Sequence, residues 1–189
     1  MAHTVGSEIV VGVGDCAVGM LPSTFLATYA LGSCVAVVAW DWRGKVGGLL
    51  HAMLPDSAID RSKAVASPAV YVDTGVQELF RQLEEKGGSR HSARFCLAGG
   101  ASMMLDSSRF EIGKRNYLAV KKALRNMGVF IDQEDVGGGE TRSLRLDLTT
   151  GRIDMRKGSG PGQVFVPGGI PLIGRGDIGR GENDGGTAG

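Results

Sequence analysis

The segment from Cys34 to Met53 constrains the fold more than any other part of the chain. Residues 34–41, Cys-Val-Ala-Val-Val-Ala-Trp-Asp, are an apolar run of strand length. Residues 45–53, Lys-Val-Gly-Gly-Leu-Leu-His-Ala-Met, are a second, and Trp42-Arg43-Gly44 between them is turn material. The pattern predicts a buried β-hairpin. With Trp42 and Arg43 as a two-residue loop, Cys34 stands directly opposite His51 at the open end. Opposed side chains on one face have Cβ atoms about 4.5–5.5 Å apart, within reach of a thiol–imidazole hydrogen bond. A three-residue loop or a bulge would shift the pairing by one and send one side chain to the other face.

Around this hairpin, Glu8 to Val13 reads as a first strand and Phe25 to Tyr29 as a second, with Leu31-Gly32-Ser33 a sharp passage into Cys34. Val72, Val76, Leu79, Phe80 and Leu83 fall at helical spacing within residues 69–86, and Gly87-Gly88 stops that helix. Arg94 to Ala98 is a strand ending in Gly99-Gly100. Residues 116–127 form a second amphipathic helix with Tyr117, Leu118, Val120, Ala123, Leu124 and Met127 inward. Val129 to Asp132 is read as a strand, and residues 143–148 alternate with period two before returning through Ile153 and Met155. Hairpins mixed with isolated helices predict an α/β sandwich with a mixed sheet rather than a doubly wound fold. Beyond Lys157 the chain turns rich in glycine and proline. The expected division is therefore one domain over residues 1–157 and a flexible Gly-rich tail over 158–189.

The bulk chemistry excludes several function classes. A balance of 21 Lys+Arg against 20 Asp+Glu offers no electrostatic footprint for nucleic acid or a membrane surface. No apolar run approaches the roughly 20 residues of a membrane span, and the N-terminus lacks the pattern of a secretory signal, so a cytoplasmic location without membrane insertion is expected. Cys16, Cys34 and Cys96 are odd in number and widely spaced, which indicates neither a disulfide framework nor a structural zinc site.

Read alone, a cysteine in an apolar strand is most often a small core residue, and a histidine flanked by Leu50 and Ala52 is as readily a satisfied core histidine. The neighbourhood favours chemistry. Gly32 and Ser33 permit a tight turn whose backbone N–H groups, that of Cys34 foremost, can face a reacting carbonyl as an oxyanion hole. A partner imidazolium can lower a thiol from about 8.5 to roughly 3.5–7.5. Thr28, Asp41 and Asp56 are candidates for a third group that holds the imidazole, with Asp41 disfavoured by its place at the far end of the hairpin. Residues 12–19 imitate a dinucleotide loop but misplace the third glycine, so nucleotide binding is rejected. Gly137-Gly138-Gly139 reads as a connection or as a loop passing close to substrate backbone.

The stretches Thr28-Tyr29-Ala30-Leu31-Gly32-Ser33-Cys34-Val35 and Gly47-Gly48-Leu49-Leu50-His51-Ala52-Met53-Leu54-Pro55 resemble the signature of the CheD family, the chemoreceptor glutamine deamidases of bacterial chemotaxis. The resemblance continues through Gly99-Gly100-Ala101-Ser102-Met103, Ile112-Gly113-Lys114-Arg115-Asn116 and Gly137-Gly138, covering residues 8–157. It implies Cys34 as nucleophile, His51 as base and acid, Thr28 as third member, and a three-layer α/β sandwich distantly similar to the catalytic domain of deamidating bacterial toxins. It also implies a chemoreceptor signalling domain as substrate and no cofactor or metal. An alternative role is that of a regulatory partner of a CheC-type phosphatase. The chain departs from many relatives in having Ala98 and Met104 where they carry phenylalanine, the second of which belongs to a protein-binding surface.

Overall fold

The computed structural model describes residues 7–21, 25–102 and 110–166. Ten strands make two five-stranded mixed sheets. The first sheet runs in the order β1 (Glu8–Val10), β3 (Phe25–Leu31), β8 (Arg142–Asp147), β9 (Ile153–Lys157), β10 (Gly162–Phe165). The second runs β2 (Asp15–Met20), β5 (Val46–Ala52), β4 (Val35–Asp41), β6 (Ala93–Gly99), β7 (Gln133–Val136). β1 pairs with β3, and β6 with β7, in parallel; the other pairings are antiparallel.

Two apolar cores explain the layering. Leu26, Leu144, Leu146, Ile153 and Met155 of the first sheet meet Ala36, Val38, Leu49 and Ala98 of the second. On the other face of the second sheet, Val35, Val37 and Leu50 pack against helices α2 (Val72–Glu85) and α3 (Phe110–Asn126). A shorter helix, α1 (Arg61–Ala66), precedes them. β4 and β5 lie between both cores and are buried at every residue, so they read as continuous apolar runs without alternation.

Several expectations need correction. The hairpin turn is four residues, Trp42 to Lys45, because Asp41 pairs with Val46; Lys45 closes it at φ 53°. His51 therefore faces Ala36, and Cys34 sits one residue before β4. Residues 129–132 are not a strand. Val129 tucks into the core, its N–H bonded to the Leu124 carbonyl, and Asp132 accepts from the Phe95 N–H at 2.7 Å, so the strand begins at Gln133. Leu118 is 52% exposed rather than inward, while Asn116 of the same helix is fully buried. β2 occupies the stretch read as an imitation nucleotide loop, and β10 adds a strand beyond Lys157. Met103 and Met104, His3 and residues 167–189 lie outside the described residues.

Candidate active site

β3 carries Thr28 on the face it shares with Leu26, and a local irregularity follows it. The pairing with β8 slips between Thr28 and Leu31, and Ala30 within the slip has φ 56°. Strict alternation would turn Leu31 away from the face that Leu26 and Thr28 share; the bulge returns it to the core between the sheets. A left-handed alanine costs on the order of 1–2 kcal/mol, which the surrounding ladder must offset.

Across the gap between the sheets, Thr28 meets His51. The Thr28 hydroxyl donates to the Val11 carbonyl at 2.7 Å, and its oxygen lies 2.8 Å from His51 Nδ1. A threonine has one hydroxyl proton, and a carbonyl can only accept it. The Thr28 oxygen must therefore accept from Nδ1–H, which fixes the neutral tautomer and leaves the Nε2 lone pair bare. Nε2 is buried and has no hydrogen-bond partner among the described residues. An unmade buried bond of this kind costs about 1–3 kcal/mol, so the fold holds an acceptor in reserve.

Cys34 reaches the same inter-sheet face. It packs against the core formed with Ala36 and Leu49 and stays half-buried, as do Gly32 and Ser33. Ala36 faces His51, so Cys34, two residues earlier, is the diagonal neighbour of the imidazole rather than its direct partner. Among the described residues the thiol and the ring make no hydrogen bond to each other in this resting arrangement. Burial pushes the Cys34 thiol up, partly opposed by its own backbone N–H; burial pushes His51 below the ordinary histidine range, partly opposed by the Val11 carbonyl. The resting pair is thus neutral thiol beside neutral imidazole. Cys16 and Cys96 differ: burial, reinforced by nearby carboxylates, holds each thiol near about 12.

The segment over Cys34 admits only glycine. Gly99 has φ +104°, and a Cβ there would stand 2.3 Å from the Cys34 carbonyl oxygen. Gly100 donates its N–H to that same carbonyl at 2.7 Å, and Ala101 donates to the Gly32 carbonyl at 2.8 Å. The turn before the cysteine is thereby pinned from one side. From the other, Asn116 of α3 donates to the Ser33 carbonyl and to the Met53 carbonyl, each at 2.9 Å. The other candidates for the third group are elsewhere: Asp41 binds Ser89, Ser92 and Arg43 at the turn end, and Asp56 caps a short helical turn through the Ala58 N–H. Gly137-Gly138-Gly139 includes a backbone tie, the Gly138 carbonyl accepting from Ser102. Among the described residues no group of three or more His, Cys, Asp and Glu side chains gathers as a metal site would require.

Residues 53–157 match the family model described as CheD chemotactic sensory transduction. The chain belongs to the CheD family. Its CheD relatives align over most of their length. A protein of Solibacter usitatus named probable chemoreceptor glutamine deamidase CheD is 43% identical over 160 residues, 85% of this chain and 94% of the relative. One of the same name from Pyrococcus abyssi is 44% identical over 160 residues, 84% and 96% of the two chains. A third, named CheD 1, from Syntrophus aciditrophicus is 39% identical over 154 residues, 82% and 96%. The match to the CheD model starts just after His51 and does not include Thr28, Cys34 or His51. A crystal structure of a Neisseria meningitidis protein of the DUF152 family superposes with TM-score 0.39 and 12% identity over 69% of this chain and 62% of its own.

Proposed function

We propose that this CheD-family chain hydrolyses glutamine side chains of a chemoreceptor signalling domain to glutamate, with Cys34 as nucleophile, His51 as base and then acid, and Thr28 as the group that orients the ring. The single observation that carries this reading is the bare, buried Nε2 of His51, its tautomer set by Thr28, on the face that Cys34 shares. A histidine serving only the core would have both nitrogens satisfied.

The chemistry follows from the neutral resting pair. As the sulfur attacks the amide carbon, its proton passes to Nε2, and the imidazolium that forms is held through Nδ1–H by Thr28. The Cys34 N–H, with those of Ser33 and Gly32 beside it, faces the developing oxyanion. His51 gives the proton to the departing nitrogen, the C–N bond breaks, and ammonia leaves a thioester on Cys34. Water then loses a proton to Nε2 as its oxygen bonds to the carbonyl carbon; the C–S bond breaks, the thiol is regenerated, and glutamate remains. Every atom in these steps comes from the amide, water and the three side chains.

A chain acting on a receptor's signalling domain would work in the cytoplasm; among the described residues no helix is long and apolar enough to cross a membrane. The test is mass spectrometry of a receptor signalling fragment incubated with the protein. Specific glutamines should gain the mass difference of glutamate with parallel ammonia release, and Cys34→Ala should abolish both. Unchanged receptor glutamines with the parent protein would overturn the reading.

A further inference from the structure

We infer that Asn116 is a positioning residue for this reaction, acting through the peptide bond that joins Ser33 to Cys34. The inference rests on the reading just given, since it assigns the source of the oxyanion donor in that same site.

Asn116 is 0% exposed, an uncommon state for an amide side chain in the interior of a helix. Both of its contacts are main-chain carbonyls, Ser33 and Met53, so the nitrogen must face them and the side chain's orientation is fixed by chemistry. In a trans peptide the carbonyl and the N–H point in opposite directions. Holding the Ser33 carbonyl from the helix side therefore aims the Cys34 N–H the other way, toward its own sulfur, where burial's effect on the thiol is partly opposed by that N–H. Hydrogen bonding to the carbonyl also polarises the same peptide and makes its N–H a better donor. The second contact ties this peptide to Met53, two residues after His51, so one side chain fixes the donor relative to the strand that carries the base.

The helix is held in place to do this. Gly113, one turn before Asn116, lies so close to the Gly99-Gly100 segment that a Cβ there would stand 2.6 Å from the Gly100 oxygen. Gly100 in turn donates to the Cys34 carbonyl. Asn116 and Gly100 thus grip successive peptides on either side of the nucleophile. The Asn116 Oδ1 atom is buried with no partner among the described residues, so the side chain's hydrogen bonds there are those of its nitrogen.

An oxyanion donor acts only once the carbonyl oxygen becomes charged, so disturbing it lowers kcat and leaves substrate binding alone. The experiment compares parent, Asn116→Ala, Asn116→Ser, His51→Ala and Cys34→Ala. Each is assayed for ammonia release from a receptor fragment and for iodoacetamide alkylation of the Cys34 peptide, read by peptide mapping. Alkylation attacks an sp³ carbon and builds no oxyanion. The Asn116 variants should lose roughly 10–10³-fold in kcat, while KM changes by less than about threefold and Cys34 alkylation, which loses only the support that this N–H gives the thiolate, falls by far less than kcat. Equal losses in kcat and alkylation, or failure of both Asn116 variants to fold, would assign Asn116 a structural role and overturn the inference; so would an unchanged kcat. If the parent turns over and depends on Cys34 and His51 while the Asn116 variants match it, this inference alone falls. If the parent releases no ammonia, the deamidase reading falls and takes this inference with it.

Discussion

The two ends of the β4–β5 hairpin share the same strands and are finished in opposite ways. At the turn end, burial raises the Asp41 carboxyl, but the N–H groups of Ser89, Arg43 and Gly44 and the Ser92 hydroxyl outweigh it and hold the group below the ordinary carboxylate range. That end is closed. At the open end His51 and Asn116 each keep a buried polar atom without a partner among the described residues, and the thiol and the imidazole are both pushed toward their neutral forms. A fold that satisfies one end so fully and leaves the other unfinished is storing chemistry at the second.

The largest contrast should come from changing one residue at each end. His51→Gln should lower kcat by about 10²–10⁴-fold with little change in thermal midpoint. Asp41→Ala should leave the kcat of folded protein near the parent value and remove about 2–3 kcal/mol of stability, because it strands several donors. Denaturant melts read beside ammonia release check both; a stability loss without a kcat loss at His51 would erase the distinction between the ends. Next in size, Thr28→Val removes the acceptor for Nδ1–H. A stranded buried N–H is worth about 1–3 kcal/mol, so kcat should fall roughly 10–100-fold, and Thr28→Ser should restore most of it.

How much of this could be read in the sequence depended on periodicity. The hairpin, the face shared by Cys34 and His51, and both long helices were legible, because each rests on a run of apolar residues. The register differs by two residues from the expected one, since nothing in Trp42-Arg43-Gly44-Lys45 announces a four-residue turn. Two is an even number, and side chains alternate with period two, so the face survived while direct opposition became a diagonal. The inward aim of Thr28 is not legible from its own strand, because Phe25, Leu26 and Ala27 before it do not alternate apolar with polar and so mark no inward face. Only the family resemblance singled it out. β2 was hidden because glycines that serve close packing look like turn signals: a Cβ at Gly19 would stand 2.8 Å from Leu148 Cδ1. Asn116 left one readable trace, a polar residue heading the stripe that continues through Val120 and Leu124.

Acid should separate the two ends by pH. His51 is depressed in the folded protein, so its contribution to stability is present above the unfolded value of about 6.5 and is lost as pH falls through its lower folded value. Asp41 is also depressed, so its contribution is present above about 3.9 and is lost only as pH falls through its own folded value. Urea melts across this range should show His51→Gln flattening the upper window and Asp41→Asn the lower. Identical pH dependence in parent and both variants would contradict the assigned directions. In activity, the same depression of His51 should place the acid limb of kcat below the ordinary histidine range.

The smallest effect concerns the boundary. We propose residues 1–157 as the deamidase domain and 158–189 as a Gly-rich appendage, of which Gly162–Phe165 adds an edge strand against β9. Truncation after Lys157 should preserve kcat and lower the melting temperature modestly, whereas truncation after Val166 should leave both unchanged. A truncation after Lys157 that abolishes turnover would make the edge strand part of the catalytic unit.

The central claim is that an acyl group passes through the Cys34 sulfur. Hydroxylamine added during turnover on a receptor fragment tests it, since it intercepts a thioester and yields a glutamyl hydroxamate in place of glutamate. The account predicts hydroxamate at the same residues that are otherwise deamidated, forming with the parent protein and absent with Cys34→Ala. Deamidation that persists in Cys34→Ala, or that proceeds in the parent without hydroxamate at saturating hydroxylamine, would contradict it.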